Sequence, residues 1–565
     1  MQGWDGPLSG AGRSTIGFPE RTIKNWQEGT VRNCMKRFSG LAFLIALFFI
    51  VVVAIPVIGC GDSQSQGGTF TYAESSDPPS LDPALAEETV GGNIDRYLFD
   101  GLIRYDSKTS EVQPAVAESW DTNEDATVYT FHLRDGVKFS DGSDVTANDF
   151  VYSWTRALTP ETQSSMAQEI FQPVMGAAAV ASGQAKSITG VEAVDSRTLK
   201  VTLERPMADF VTLLGHPVAS PVPQKAVEDK SVNFAEKPTG NGPFMVKSWT
   251  HDDSIVLVKN PSYYGSAGSL DSVTVKIIPN PATAIAELKA GNVDAVREIP
   301  SGQTDSLKSD NSVKFFQGAS DQVRYLAFDI TKPPFDNLKV REAFAAAIDR
   351  DTIANKVLQG QEAPADGLVP TSVPGHQSGA LAINFDPEKA KTLLADAGYP
   401  GGNGLPPVTL NYPGAGTAAD VAQAIQSQLK SVGIPVELNG VDPGVFGEQM
   451  GSGRFALFLI PWQGDAPNID SYVFPLFASE NIGATNVFQY NNPAVDQLLA
   501  DARSNTDANA RTGIYNDAER KIIAEWPAVP VTFGLQTMVY APRVTNFAVT
   551  PLGDIALTDI TVSNQ

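Results

Sequence analysis

Beyond residue 68 the sequence switches back and forth between two hydrophobic periods, and that alternation confines the chain to a mixed α/β architecture. Val128 to Leu133 alternates residue types at period two, as does Leu199 to Glu204, with Leu199, Val201 and Leu203 on one face. Ser254–Val258 and Val273–Ile278 carry the same strand signature. Between them lie helical segments with their own start and stop signals. Thr146 and Asp149 stand at capping-box spacing ahead of a helix through Leu158, and Pro281 opens a helix that Gly291 closes. Val340, Ala343, Phe344, Ala347 and Ile348 share one helical face. Asp386-Pro387 begins a helix ended by Gly398, Thr417 to Val432 is followed by Gly433, and Asn492-Pro493 begins another.

Length then forces subdivision. At 565 residues the chain exceeds what one hydrophobic core serves, so two or three lobes are expected. The formal net charge is −23, and residues 1–60 are basic, so the remainder is more acidic still. Phosphate backbones repel such a body, and no nucleic-acid partner is expected.

The amino-terminal region has a different character. Lys36 and Arg37 precede an almost unbroken apolar run, Leu41 to Ile58, which ends in Gly59-Cys60 and the polar stretch from Asp62 to Gly68. A basic segment, an apolar segment and small residues describe a secretory signal, here spanning 1–60. The ending resembles a lipobox, which implies cleavage before Cys60, acylation of Cys60 and a tether over 61–68. A plain signal anchor is the alternative. Met35-Lys36-Arg37 resembles a natural start, so residues 1–34 read as a start-site misassignment; either way Cys34, the other of two cysteines, is absent from the mature chain.

Reactive constellations are missing from the sequence. The four histidines (His132, His216, His251, His376) show no metal-binding spacing, and there is no HExxH, GxSxG, Walker loop or GxGxxG. Asp121, Asn123 and Asp125 mimic the start of a calcium loop, but Ala126 and His132 stand where glycine and glutamate are needed, so the segment reads as a β-turn. No cofactor, no metal and no enzymatic activity are expected.

A longer pattern is more specific. Pro114-Ala-Val-Ala-Glu-Ser-Trp120, Tyr129 to Phe139, Asp141-Gly142, Thr146-Ala147, Asp149-Phe150 and Tyr152-Ser153 follow in order. Leu81-Asp82-Pro83, Leu98 to Tyr105, Gly240-Asn-Gly-Pro-Phe244, Asn260 to Tyr264 and Pro333-Pro-Phe335 accompany them. Together these resemble the oligopeptide/dipeptide/nickel-binding proteins of ABC importers across about residues 68–565. The resemblance implies a periplasmic-binding-protein-like fold with two large hinged lobes. One lobe would comprise 69–103, 219–321 and 533–565, the other 322–532, with a small accessory lobe at 104–218. It implies a monomer on the extracytoplasmic face of the cell membrane that captures short peptides by hinge closure and partners the importer's permease subunits.

The same resemblance suggests where a ligand sits. Trp462-Gln-Gly-Asp465 is similar to a Trp-x-x-Asp segment whose acid meets the peptide amine, which makes Asp465 the anchor. Trp462 and Gly464 would present backbone to an extended peptide. Glu87, Glu88 and Thr89 match the segment pairing with peptide backbone from the other lobe, and Arg324 and Tyr325 fall near the expected hinge crossing, where they are candidates to meet a ligand carboxylate. A solvated surface loop is the alternative for Asp465, and solvated residues for Glu87 and Glu88. Other family ligands (a nickel chelate, a sugar, an opine) stay open, as do a secreted hydrolase and a lipoprotein adhesin or chaperone that merely keeps the fold.

Overall fold

A computed structural model describes residues 68–563 apart from 301, 382 and 415; the apolar run 41–58 and Cys60 lie outside the described residues. Among the described residues no helix is long and apolar enough to cross a membrane.

One eleven-stranded mixed sheet organises the molecule. Its strands are β1 (Gly68–Glu74), β2 (Phe244–Thr250), β3 (Ser254–Lys259), β4 (Leu270–Ile277), β5 (Ala295–Val296) and β6 (Lys314–Phe328), then β7 (Glu362–Pro364), β8 (Val408–Pro413), β9 (Val436–Val441), β10 (Leu457–Gln463) and β11 (Ala528–Tyr540). The spatial order is β9-β8-β10-β6-β11-β5-β1-β4-β3-β2, with β7 alongside β11. β1 runs parallel to β4, and β8 parallel to β9, while β6 pairs antiparallel with both β10 and β11.

Two strands serve two cores. Val323 to Phe328 of β6 and Ala528 to Phe533 of β11 belong to a core filled by the helices between them. At their other ends Phe316 and Met538 join a different core, built from Phe70, Tyr72, Val273 and Val275. A third core, around Phe131, Phe150, Trp154 and Leu199, closes a separate four-stranded antiparallel sheet from Ala117–Thr122, Val128–Leu133, Val191–Asp195 and Thr198–Thr202.

Local signals act as the sequence implies. In helix α2 (Ala147–Leu158) the Asp149 carboxylate accepts the Thr146 backbone N–H at 2.7 Å and its hydroxyl at 2.8 Å. The helix Pro387–Asp396 is capped by Asp386, and Pro493–Ser504 by Asn492. In Ala418–Ser431, Val421, Ile425 and Leu429 face inward. The Asn123–Thr127 segment is a hairpin turn, with Asn123 Oδ1 accepting the Thr127 and Val128 N–H groups at 2.9 Å.

The Gly240-Asn-Gly motif acquires a physical reason. Asn241 is buried, accepts the Asp100 N–H at 3.0 Å and donates to the Asp100 carbonyl at 2.9 Å. The two glycines flank it where backbone meets backbone: a Cβ at Gly240 would stand 2.0 Å from the Leu98 carbonyl oxygen. Gly240→Ala is therefore expected to destabilise the empty protein by about 1–3 kcal/mol, seen as a lowered Tm in thermal denaturation. An unchanged Tm would contradict the close approach.

Candidate functional site

The site begins with a fault in the sheet. Between Ala319 and Val323 the β6–β11 ladder loses register, so Ser320, Asp321 and Gln322 leave the pairing opposite Gly534. A side chain at Gly534 would crowd Gln322 and Ser320, with a Cβ 3.1 and 3.2 Å from theirs. The fault opens a cavity of about 290 Å³, lined by Thr89, Arg297, Asp321, Glu362, Gln463 and Gln536 among others.

Asp321 is the cavity's buried acid, 1% exposed. Burial pushes its carboxyl up to about 7, against a partial offset from the Gln463 amide, which donates to Oδ2 at 3.2 Å. The Asp321 carbonyl accepts the Tyr472 hydroxyl. Arg297, the cation of this cavity, is held by buried Glu74 at 3.1 Å through Nε, and its Nη2 has no hydrogen-bond partner among the described residues.

The loop leaving β10 carries the Trp-x-x-Asp segment and is pinned at both ends. Trp462 Nε1 donates to the Ser471 carbonyl at 2.9 Å. Asn468 Oδ1 accepts the Ser471 N–H at 2.8 Å, at the start of a helix (Asp470–Phe477). Gly464 is required here: a Cβ would meet the Tyr472 ring at 2.8 Å and Ser471 Cβ at 2.9 Å. Asp465, half-buried, follows it. Its carboxyl is raised to about 7, first by burial and then by the negative charge of Glu169.

Glu169 comes from helix α3 (Ser165–Phe171) of the smaller sheet's module. The same module anchors the loop: Ala466 is buried in its core, and Asn468 Nδ2 donates to the Thr212 hydroxyl. Further along, Arg511 meets Asp209 at 2.9 Å, and Tyr515 bridges Asp209 and Asp470 at 3.1 and 2.9 Å.

The remaining expected site residues fall differently. Glu87 is exposed, but its Oε1 accepts the N–H and hydroxyl of Ser165 at 2.6 and 2.9 Å, fixing the start of α3. Glu88 caps helix α1 (Thr89–Leu98) through the N–H groups of Val90 and Gly91. Thr89 is exposed and lines the cavity. Arg324 is buried, paired with Glu362 at 2.6 Å and hydrogen-bonded to Thr417. Tyr325 is not brought to the cavity: successive side chains on a strand point to opposite faces, and this one is fully buried with its hydroxyl on the Leu368 carbonyl at 2.6 Å. Asp321, Arg297 and Glu169 are the residues sequence reasoning missed. The one available signal was for Asp321, a Ser-Asp-Gln run inside a strand whose ends are largely apolar.

The model of "Bacterial extracellular solute-binding proteins, family 5 Middle" matches residues 111–484. The periplasmic oligopeptide-binding protein OppA of Escherichia coli is 32% identical, over 91% of this chain and 96% of its own. Heme-binding protein A of Haemophilus influenzae is 28% identical, over 89% and 94%. The unliganded open form of MppA, a periplasmic murein tripeptide binding protein, superposes with a TM-score of 0.78 at 28% identity, covering 88% of this chain and 98% of that one.

A buried acid raised to about 7 costs stability when ionised. Its folded-state value lies above the ordinary 3.8, so the folded form holds the proton longer and stability falls as pH rises from about 4 through 7. Asp321→Asn is expected to stabilise the empty protein by about 2 kcal/mol at pH 8 and by nearly nothing at pH 4. Chemical denaturation at the two pH values measures this; a loss of stability at pH 8 would contradict it.

Proposed function

The chain belongs to family 5 of the bacterial extracellular solute-binding proteins, binding proteins rather than enzymes, and from that premise we propose that it captures short peptides for an ABC importer. The observation that carries this reading is Asp465. It is half-buried, and among the described residues no cation or hydrogen-bond donor reaches its carboxylate. A peptide amine fits that position, and a charge-assisted hydrogen bond there contributes roughly 1.5–3 kcal/mol net. Arg297 supplies a positive group for the ligand's anionic end. Trp462 and Gly464 sit where β10 extends beyond its pairing with β8, which leaves backbone for strand addition.

Capture works by bending at β6 and β11. The lobes are 69–103, 219–321 and 533–565 on one side and 322–532 on the other, with 104–218 as accessory lobe. The loss of register beside Gly534 supports placing the hinge there, because a broken ladder bends more easily than a continuous one. A ligand touching both lobes favours the closed form by its differential affinity. The protein acts as a monomer, held to the membrane through acylated Cys60 and the 61–68 tether, and presents the closed form to the permease subunits.

Asp465→Asn is expected to weaken peptide affinity on the order of ten- to a hundredfold, without lowering the Tm of the empty protein. Calorimetric titration with a retained peptide tests it, and equal affinity would remove the amine assignment. Cys60→Ser is expected to leave capture intact and release the protein from the membrane fraction; retention there would favour a signal anchor.

A further inference from the structure

A second cavity, of about 170 Å³, lies apart from the one at the β6–β11 break. Among the described residues the groups lining it come from 96–110, 215–220, 243–244, 263 and 550–558, and none from 322–532. Its walls are largely aromatic: Tyr97, Phe99, Tyr105, Phe244 and Tyr263 contribute, and Leu552 lines both cavities. An apolar cavity of roughly 150 Å³ is enough to hold a benzene ring. These walls are fixed. The Ile555 N–H donates to the Tyr97 hydroxyl at 2.8 Å, which holds the 550–558 strap to helix α1. The strap closes on itself where the Gly553 N–H donates to the Thr550 carbonyl at 2.9 Å. A side chain at Gly215 would overlap the Tyr105 ring, whose hydroxyl donates to the Thr212 carbonyl. Exposed Arg104 and Thr558 mark the mouth.

The charged groups at this cavity are unevenly satisfied. Three acids line it, and each already has a donor. Asp100 Oδ2 accepts the hydroxyls of Tyr263 and Tyr264 at 2.9 and 2.8 Å. Asp106 Oδ1 accepts the N–H groups of Lys108 and Thr109 at 3.0 and 2.9 Å, and Asp554 Oδ1 accepts the Thr550 hydroxyl at 2.7 Å. The two cations are not matched in this way. Arg96 reaches Asp554 only at 3.9 Å, and its Nη1 makes two long contacts of 3.5 Å, with the Gly92 carbonyl and Asn93 Oδ1. Its Nε, shut off from solvent, has no hydrogen-bond partner among the described residues. Arg104 takes part in no ion pair among the described residues. A guanidinium carries five N–H donors in a planar fork that fits a carboxylate, and Arg96 leaves most of that capacity unused.

We infer that this cavity is a second binding site, for a small one-ring aromatic carboxylate: the ring lies between the tyrosine and phenylalanine walls, and the carboxylate meets Arg96. The site does not rest on the peptide reading above. The walls set the need for a ring, and the unmatched guanidinium sets the need for charge, since charge-assisted hydrogen bonds are the stronger kind. Arg104 at the mouth favours entry of an anion into a protein whose net charge is otherwise −23. Because no group from 322–532 takes part, the site is complete before any hinge movement and binds its ligand in the empty protein.

The test is a ligand-observed NMR titration of the empty mature protein with three compounds: benzoate, benzamide as the same ring without charge, and propionate as a carboxylate without a ring. Benzoate is expected to bind about tenfold more tightly than either of the others. Arg96→Gln is expected to weaken benzoate by about that factor and to leave benzamide unchanged, a split that a misfolded variant would not show. Ser220→Leu fills the cavity from a buried lining position and is expected to abolish binding of both ring compounds; Ala556→Leu, at another such position, does the same if the first variant fails to fold. Asp465→Asn is expected to leave benzoate binding unchanged, which separates this site from the peptide site. Absence of saturable benzoate binding to wild type up to about 10 mM would overturn the inference. Equal affinity for benzoate and propionate, or undiminished benzoate binding in a folded cavity-filling variant, would overturn it as well, and each of these leaves the peptide reading standing.

Discussion

The antiparallel pair β6–β11 is the constraint from which the rest of the structure follows. Both strands are long enough to be buried in two cores, with Val323–Phe328 and Ala528–Phe533 in one and Phe316 and Met538 in another. Neither core can be displaced without bending these strands. Their ladder is interrupted at one level only, around Ser320–Gln322 and beside Gly534, apart from a one-residue slip at Arg324. Backbone polar groups freed by such a break need partners, and side chains gather to meet them. The cavity, its buried acid and the flanking polar residues are consequences of that one irregularity.

Electrostatics at the site run against stability. Asp321 and Asp465 are both raised to about 7, mainly by burial, and among the described residues neither takes part in an ion pair. Several other buried charges are paired, Arg324 with Glu362, Arg156 with Asp82 and Arg543 with Asp294, whereas Asp95 and Glu519 are further buried acids raised by burial. Unmatched buried acids at the cavity and on the loop after β10 are what the proposed ligand contact requires.

Much of the fold was legible because its signals are local. Asn492-Pro493, Asp386-Pro387 and the Thr146–Asp149 box mark helix starts within four residues of sequence, and the structure has helices at each. Asp465 was legible through its tryptophan context. Glu169 was not, because the aspartate whose carboxyl its charge raises lies nearly three hundred positions away. For Glu87 and Glu88 the reverse holds. Their neighbourhood to the site was readable, but their carboxylates are engaged by Ser165 and by the α1 amides, which no linear pattern reveals. Tyr325 lies past the break in the ladder, where the strand is buried in the core and not in the cavity lining.

The core beside β1 has a consequence for biosynthesis. Phe70 and Tyr72, from the start of the described chain, pack with Val544, Phe547, Ile555, Ile560 and Val562 from its end. That core is incomplete until residues 544–562 have been synthesised, however early its first strand appears. Contacts of such long sequence separation form slowly, because a large loop must close before they reward it. A nascent polypeptide with this topology can pair its first strand with Leu270–Ile277 midway through synthesis, but cannot close the core around it before residues 544–562 emerge.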